Sequence, residues 1–150
     1  MKIELLLIVL LFLITILNFT EKSCISSSFT NHIQITSLQI GNYTVKVEVV
    51  DKLETRNLGL MYRNYLPENH GMLFVFDEPF KASFWNKNTP LALDIAFIDS
   101  QGTILEILQL NPYDETTKES KSDKVLYAIE LNQGWFKKNN IVPGMKIYQK

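Results

Sequence analysis

Two carboxylates stand out because small residues surround them. Asp94 lies between Ala92 and Ala96, and Glu130 shares a strand side with Ala128. Alanine leaves room for a partner or a ligand beside each acid, while burial alone disfavours the charged form. Such a pair could serve a hydrolase or lyase as general acid and base, one carboxyl raising the pKa of the other. It could equally be ion-paired with Arg63 or Lys87 as a structural support. The run Trp85-Asn86-Lys87-Asn88-Thr89-Pro90 sets an ammonium, amides and a hydroxyl beside an indole, in a bend fixed by proline. It could hold a small polar or anionic ligand, with Trp85 and Trp135 as stacking faces for a sugar or as ordinary core residues.

Other chemistries find little support. His32 and His70 stand alone, without neighbouring carboxylate or Cys ligands, and a single Cys rules out both a Cys-cluster zinc site and an intramolecular disulfide. No metal and no cofactor is expected. Ser83 and Ser120 lack the context of a nucleophile elbow, and no glycine-rich phosphate loop occurs. With 15 basic against 16 acidic side chains, a net charge of −1 gives no electrostatic footprint for nucleic acid.

The elements that must position these residues read mostly as short strands. Tyr43 to Val49 alternates as a half-buried strand, and a short first strand is expected at 33–40. Asp51-Lys52-Leu53-Glu54 reads as a capping box opening a helix of about two turns that Gly59 closes. Further strands are expected at Met72 to Phe76, Ala82 to Trp85, Leu91 to Ile98, Thr103 to Leu110, Val125 to Leu131 and Met145 to Tyr148. Asp99 to Gly102 is a hairpin turn, Asn111 to Lys124 an exposed loop, and Gly134 to Asn139 a short helix. No strand–helix–strand unit of adequate length is read, which disfavours a nucleotide-binding parallel sheet. The class expected is β-rich α+β: a compact, mostly antiparallel sheet folded into a barrel-like or sandwich-like domain with one or two short helices.

The same stretches resemble a known family. GLMYR (59–63), LPENHGMLFVFDEP (66–79), SFWNKNTPLALDIAFID (83–99), YAIELNQGW (127–135) and the late Pro143-Gly144 turn are similar to domain-of-unknown-function family 192, over about residues 42–148. The resemblance implies a compact β-rich domain, often behind a signal peptide, and no known activity. The family's recurrent polar positions fall here on Arg63, Trp85, Lys87, Asn88, Thr89, Asp94 and Glu130. The chain departs from the family at Asn86, where a Met is usual, and this removes a thioether from the expected pocket lining.

The N-terminus speaks of destination. Leu5 to Leu17 is apolar apart from Thr15, and thirteen helical residues span about 20 Å, short of the roughly 30 Å of bilayer hydrocarbon. That length suits a secretory signal or short anchor over 1–23, followed by a polar tether at 24–40 and one globular domain at 41–150. Cys24 after Ser23 is a lipidation candidate, although Glu21 and Lys22 fit a lipobox poorly. The chain is thus expected to work outside the cytoplasm, touching membrane only through its leader or a lipid on Cys24. The expected function is noncatalytic binding of a small polar or anionic ligand by Arg63, Trp85, Lys87, Asn88, Thr89, Asp94 and Glu130, converging on one wet hollow. The alternatives are an envelope structural or partner-binding protein, and an enzyme using Asp94 and Glu130.

Overall fold

A computed structural model describes residues 33–150; the leader at 1–23, Cys24 and the tether up to residue 32 lie outside the described residues. Among the described residues nine strands and two short helices follow one another: β1 (Gln34–Ile40), β2 (Tyr43–Val50), α1 (Leu53–Leu58), β3 (His70–Phe80), β4 (Ser83–Phe84), β5 (Leu93–Ile98), β6 (Ile104–Leu110), β7 (Lys118–Glu119), β8 (Val125–Asn132), α2 (Trp135–Lys138) and β9 (Ile147–Gln149). Seven of the strands form one sheet in the order β6-β5-β8-β3-β2-β1-β9, and β4 pairs with β7 beside it. A bridge between Thr103 and Lys146 brings the two ends of the sheet together, so it curls into a half-barrel. The expected β-rich, mostly antiparallel class is what forms. Because β1 pairs with β2 along its whole length, the folded unit begins at Ile33 rather than at residue 41.

Period-two alternation divides the apolar residues between two cores. Leu38, Ile40, Val45, Val47, Ala96, Ile129 and Leu131 face the concave side, where Trp135 and Phe136 of α2 and Ile141 close over them. Met72, Phe74, Ile95, Phe97 and Ala128 face the other side, covered by Leu60, Leu66 and Ala82. Strand β5, paired on both sides by β6 and β8, is buried at every position, Asp94 included. Its hairpin to β6 turns where the sequence places it: the Asp99 carboxylate accepts from the amides of Gln101 and Thr103, and Gly102 takes φ +78°.

Two local expectations are corrected. No capping box forms, because Lys52 rather than Asp51 stands at the N-cap and no side chain bonds the first-turn amides. The Asp51 backbone carbonyl accepts from the Arg56 guanidinium at 2.6 Å. Gly59 does end the helix, at φ +48°. A strand–helix–strand crossover also exists: β2 and β3 pair in parallel, with α1 in the connection. It escapes notice in the sequence because α1 is only six residues long and a loop supplies the rest of the span.

Candidate functional site

A cleft of about 610 Å³ opens on the convex side of the sheet. Its floor is β3 and β8; its walls are α1 with the following turn, β4, and the 85–89 loop. Four phenylalanines dominate it. Phe74 and Phe84 meet edge to face with centroids 4.9 Å apart, Phe76 and Phe80 do so at 4.8 Å, and Phe84 also packs on Phe97. The ladder between β3 and β8 shifts register between Val75 and Phe80, and both Phe76 and Phe80, an even number of residues apart, line the cleft.

Glu130 lies on the floor. It stands opposite Met72 on β3 and Ile95 on β5, so its lateral neighbours are apolar. Only 4% of the residue is exposed, and among the described residues no protein group hydrogen-bonds its carboxylate. Burial pushes its pKa up to about 8, so at neutral pH the carboxyl is mostly protonated.

Of the residues expected to converge, the structure brings three to this cleft: Trp85, Thr89 and Glu130. The others lie elsewhere. Asp94 pairs with Leu131, one position out of phase with Glu130, and therefore points to the opposite face of the sheet. There it accepts the Gly134 amide at 2.8 Å and holds the entry to α2. Its other oxygen is buried without a partner among the described residues. Burial raises the Asp94 pKa and the Gly134 bond pulls it back. The acid/base pair is thus not formed, nor does either acid pair with Arg63 or Lys87.

Arg63 makes a two-pronged bond to Glu48, at 2.5 and 2.6 Å. That hydrogen bond raises its pKa above the ordinary arginine value. Lys87 lies 3.5 Å from Glu115 and 5.2 Å from the centre of the Trp85 ring. Asn88, at φ +54°, gives its side-chain amide to the Tyr62 hydroxyl. Thr89 lines the cleft, but its hydroxyl donates to the Lys87 carbonyl. Trp135 is a core residue whose indole donates to Asn69. The single wet hollow of converging charges is replaced by a largely aromatic cleft with one acid.

Sequence reading missed what makes the walls. Asn86 is buried, and its amide donates to the carbonyls of Leu91 and Asn111 at 2.8 Å each. Where a Met would line the pocket, Asn86 instead ties three stretches of chain together. Arg56 borders the cleft with its guanidinium over the Phe76 ring and bonded to the Val75 carbonyl. The phenylalanine-rich FVFDEPF run was the available signal for the aromatic floor. Ser120 lies in the stretch read as exposed, yet it is buried: its hydroxyl accepts the Ala82 amide and fixes β4. Among the described residues no cluster of three His, Cys, Asp or Glu side chains is placed to hold a metal ion.

A family model described as DUF192, an uncharacterised ACR, matches residues 36–149. Solved structures similar to the chain include the two that follow. One is a Sinorhizobium meliloti 1021 protein provisionally described as a transcription regulator; it is 33% identical with a TM-score of 0.75, over 78% of this chain and 95% of that one. The other is a Novosphingobium aromaticivorans DSM 12444 protein of unknown function, 28% identical with a TM-score of 0.69, over 77% of this chain and 84% of that one. No curated protein matches the chain.

Proposed function

This chain belongs to the DUF192 family, and for this member of it we propose noncatalytic binding of a small molecule with an apolar body and one polar group reaching Glu130. The observation that carries the reading is a buried carboxyl, without a hydrogen-bond partner among the described residues, on the floor of an aromatic cleft. Folding leaves only 4% of Glu130 exposed without giving it a hydrogen bond from the described residues, and a ligand group would offset that penalty. The cleft volume falls within the range of small-molecule sites, which combine apolar walls with a few placed polar groups. The anionic ligand expected from sequence is less well served, because Arg63 and Lys87 are already engaged by Glu48 and Glu115. A net charge of −1 gives no drive toward nucleic acid, so the regulator description is not carried over. The apolar leader places this binding outside the cytoplasm in our reading, with Cys24 as a lipidation candidate.

A second reading, partner binding, is favoured by the mouth of the cleft, where Leu53, Leu58, Phe80 and Trp85 are exposed. Thermal unfolding of the chain against small aromatic and aliphatic compounds, each carrying one polar group, separates the two. A saturable rise in Tm supports the small ligand. No shift across the set, with co-purification of a protein lost in Phe80→Ser, supports the partner. Protease accessibility of a C-terminally tagged chain in intact cells tests the location.

A further inference from the structure

We propose that the polar group recognised in the cleft is an ammonium, so that the ligand class is an organic amine with an aromatic or branched apolar body. The inference rests on the small-ligand reading above and names its chemistry. Three observations bear on it. The first is the acid itself: the floor offers a carboxyl and no described cation bonded to it. Arg56, the one charged side chain besides Glu130 on the lining, is held by the carbonyls of Asp51 and Val75, with Asp77 at 3.7 Å. Arg63 is bound to Glu48, across Met72 from Glu130 on the same face. The second is the walls. Phe74, Phe76, Phe84 and Trp85 line the cleft, and the negative quadrupole of an aromatic face attracts cations and does nothing for a carboxylate or phosphate. The third is that the chain already uses two of these rings this way: the Arg56 guanidinium lies 5.6 Å from the Phe76 centroid, and the Lys87 ammonium 5.2 Å from that of Trp85. An ammonium on Glu130 would meet the same chemistry deeper in the cleft.

Binding of a cation requires the carboxylate form. Beside Glu130 in the sheet stand Met72 on β3 and Ile95 on β5, neither titratable; across the cleft, α1, β4 and the 85–89 loop add Arg56 as the one other charged group among the described lining residues, and Glu48, paired with Arg63, lies beyond Met72. Glu130 alone therefore sets the proton balance near neutral pH. An amine entering at pH 7 drives the Glu130 proton off to buffer, and its own ammonium stays protonated. With a carboxyl titrating at about 8, close to one proton is released per ligand, and amine affinity falls about tenfold for each pH unit below that point.

The test uses the full-length chain and three probes of nearly equal size: 3-phenylpropylamine, 3-phenylpropan-1-ol and 3-phenylpropionate. Titration calorimetry at pH 7, in buffers of different ionisation enthalpy, counts protons. The expected result is amine affinity at least tenfold above that of the alcohol at pH 8.5, near-stoichiometric proton release at pH 7, and no binding of the carboxylate. Glu130→Gln is expected to lose both the preference and the proton release while still binding the alcohol. Should that variant not fold, the proton count on the unaltered chain decides alone. Equal or tighter binding of the alcohol or the carboxylate overturns the amine and leaves the cleft reading intact. Failure of all three probes overturns both.

Discussion

Glu130 makes an energetic signature that can be read without any ligand. Its pKa rises from 4.5 to about 8 because burial penalises the charged form. Between those values the unfolded chain has released the proton while the folded chain holds it, so stability falls as pH rises. The penalty is absent below about pH 4.5, grows by about 1.4 kcal/mol per pH unit, and is complete above about pH 8. Urea unfolding should therefore show the chain losing a few kcal/mol between pH 5 and pH 8, with Glu130→Gln flattening most of that slope. Identical slopes in the two proteins would mean that the carboxyl ionises in water. Asp94 adds to the same direction, since burial raises its pKa too, and it remains in the variant. Arg63 provides a contrast. Its partner is Glu48, so Arg63→Ala should lower stability by about 1 kcal/mol at this partly exposed position and leave the response to cleft ligands unchanged. A ligand-induced Tm shift abolished in Arg63→Ala would restore it to the binding site.

At the scale of elements, the cleft depends on ties that join chain segments far apart in sequence. Asn86 is the central one. Asn86→Ala leaves the Leu91 and Asn111 carbonyls without their donor and should destabilise the chain by about 1–3 kcal/mol, read as a lowered urea midpoint at constant slope. The β3–β8 ladder imposes a stricter demand. A Cβ on Gly71 would lie 2.2 Å from the Glu130 carbonyl oxygen, which the sheet ladder holds in place, and 2.4 Å from the Leu131 side chain. Gly71→Ala should cost about 3 kcal/mol or more, or prevent folding, as measured by circular dichroism and urea unfolding. These cases show what was legible in the sequence. The strands were, because alternation in β2, β5 and β8 follows directly from the pleat. The facing of Asp94 and Glu130 was not: Glu130 falls opposite Ile95 rather than Asp94, and this one-residue parity between strands is fixed only when they pair. Glu48 became the Arg63 partner through a parallel crossover that a six-residue helix did not announce. Asn86 bonds backbone carbonyls, which any residue carries, so no side-chain pattern points to it. Strand β7 has two residues, too few to show a period.

For the molecule as a whole, closure at the C-terminus sets the limits of stability. The curled sheet has two ends, β6 and β9, and the last residues join them. Ile104 donates to the Met145 carbonyl and Ile147 to that of Gly102, each at 2.8 Å, while β9 extends β1 through Ile40–Ile147 to Leu38–Gln149. Gly102 is fitted to this seam: at φ +78°, its missing Cβ would otherwise lie 2.6 Å from the Ile147 carbonyl. Removing residues 145–150 should release the seam, uncover one edge of β1 and expose Ile40, which is fully buried. Losing several ladder bonds and the apolar contacts of Met145 and Ile147 should lower stability by about 2–5 kcal/mol. An unpaired β1 edge also invites pairing with another chain. The shortened protein should therefore unfold at lower urea and associate as concentration rises, by light scattering after size-exclusion chromatography. Because the cleft lies on the opposite face, the same truncation should leave ligand response at low temperature intact. A monomer of unchanged stability would show that β9 only rests on the sheet, and a lost ligand response would show that the half-barrel and the cleft form one cooperative unit.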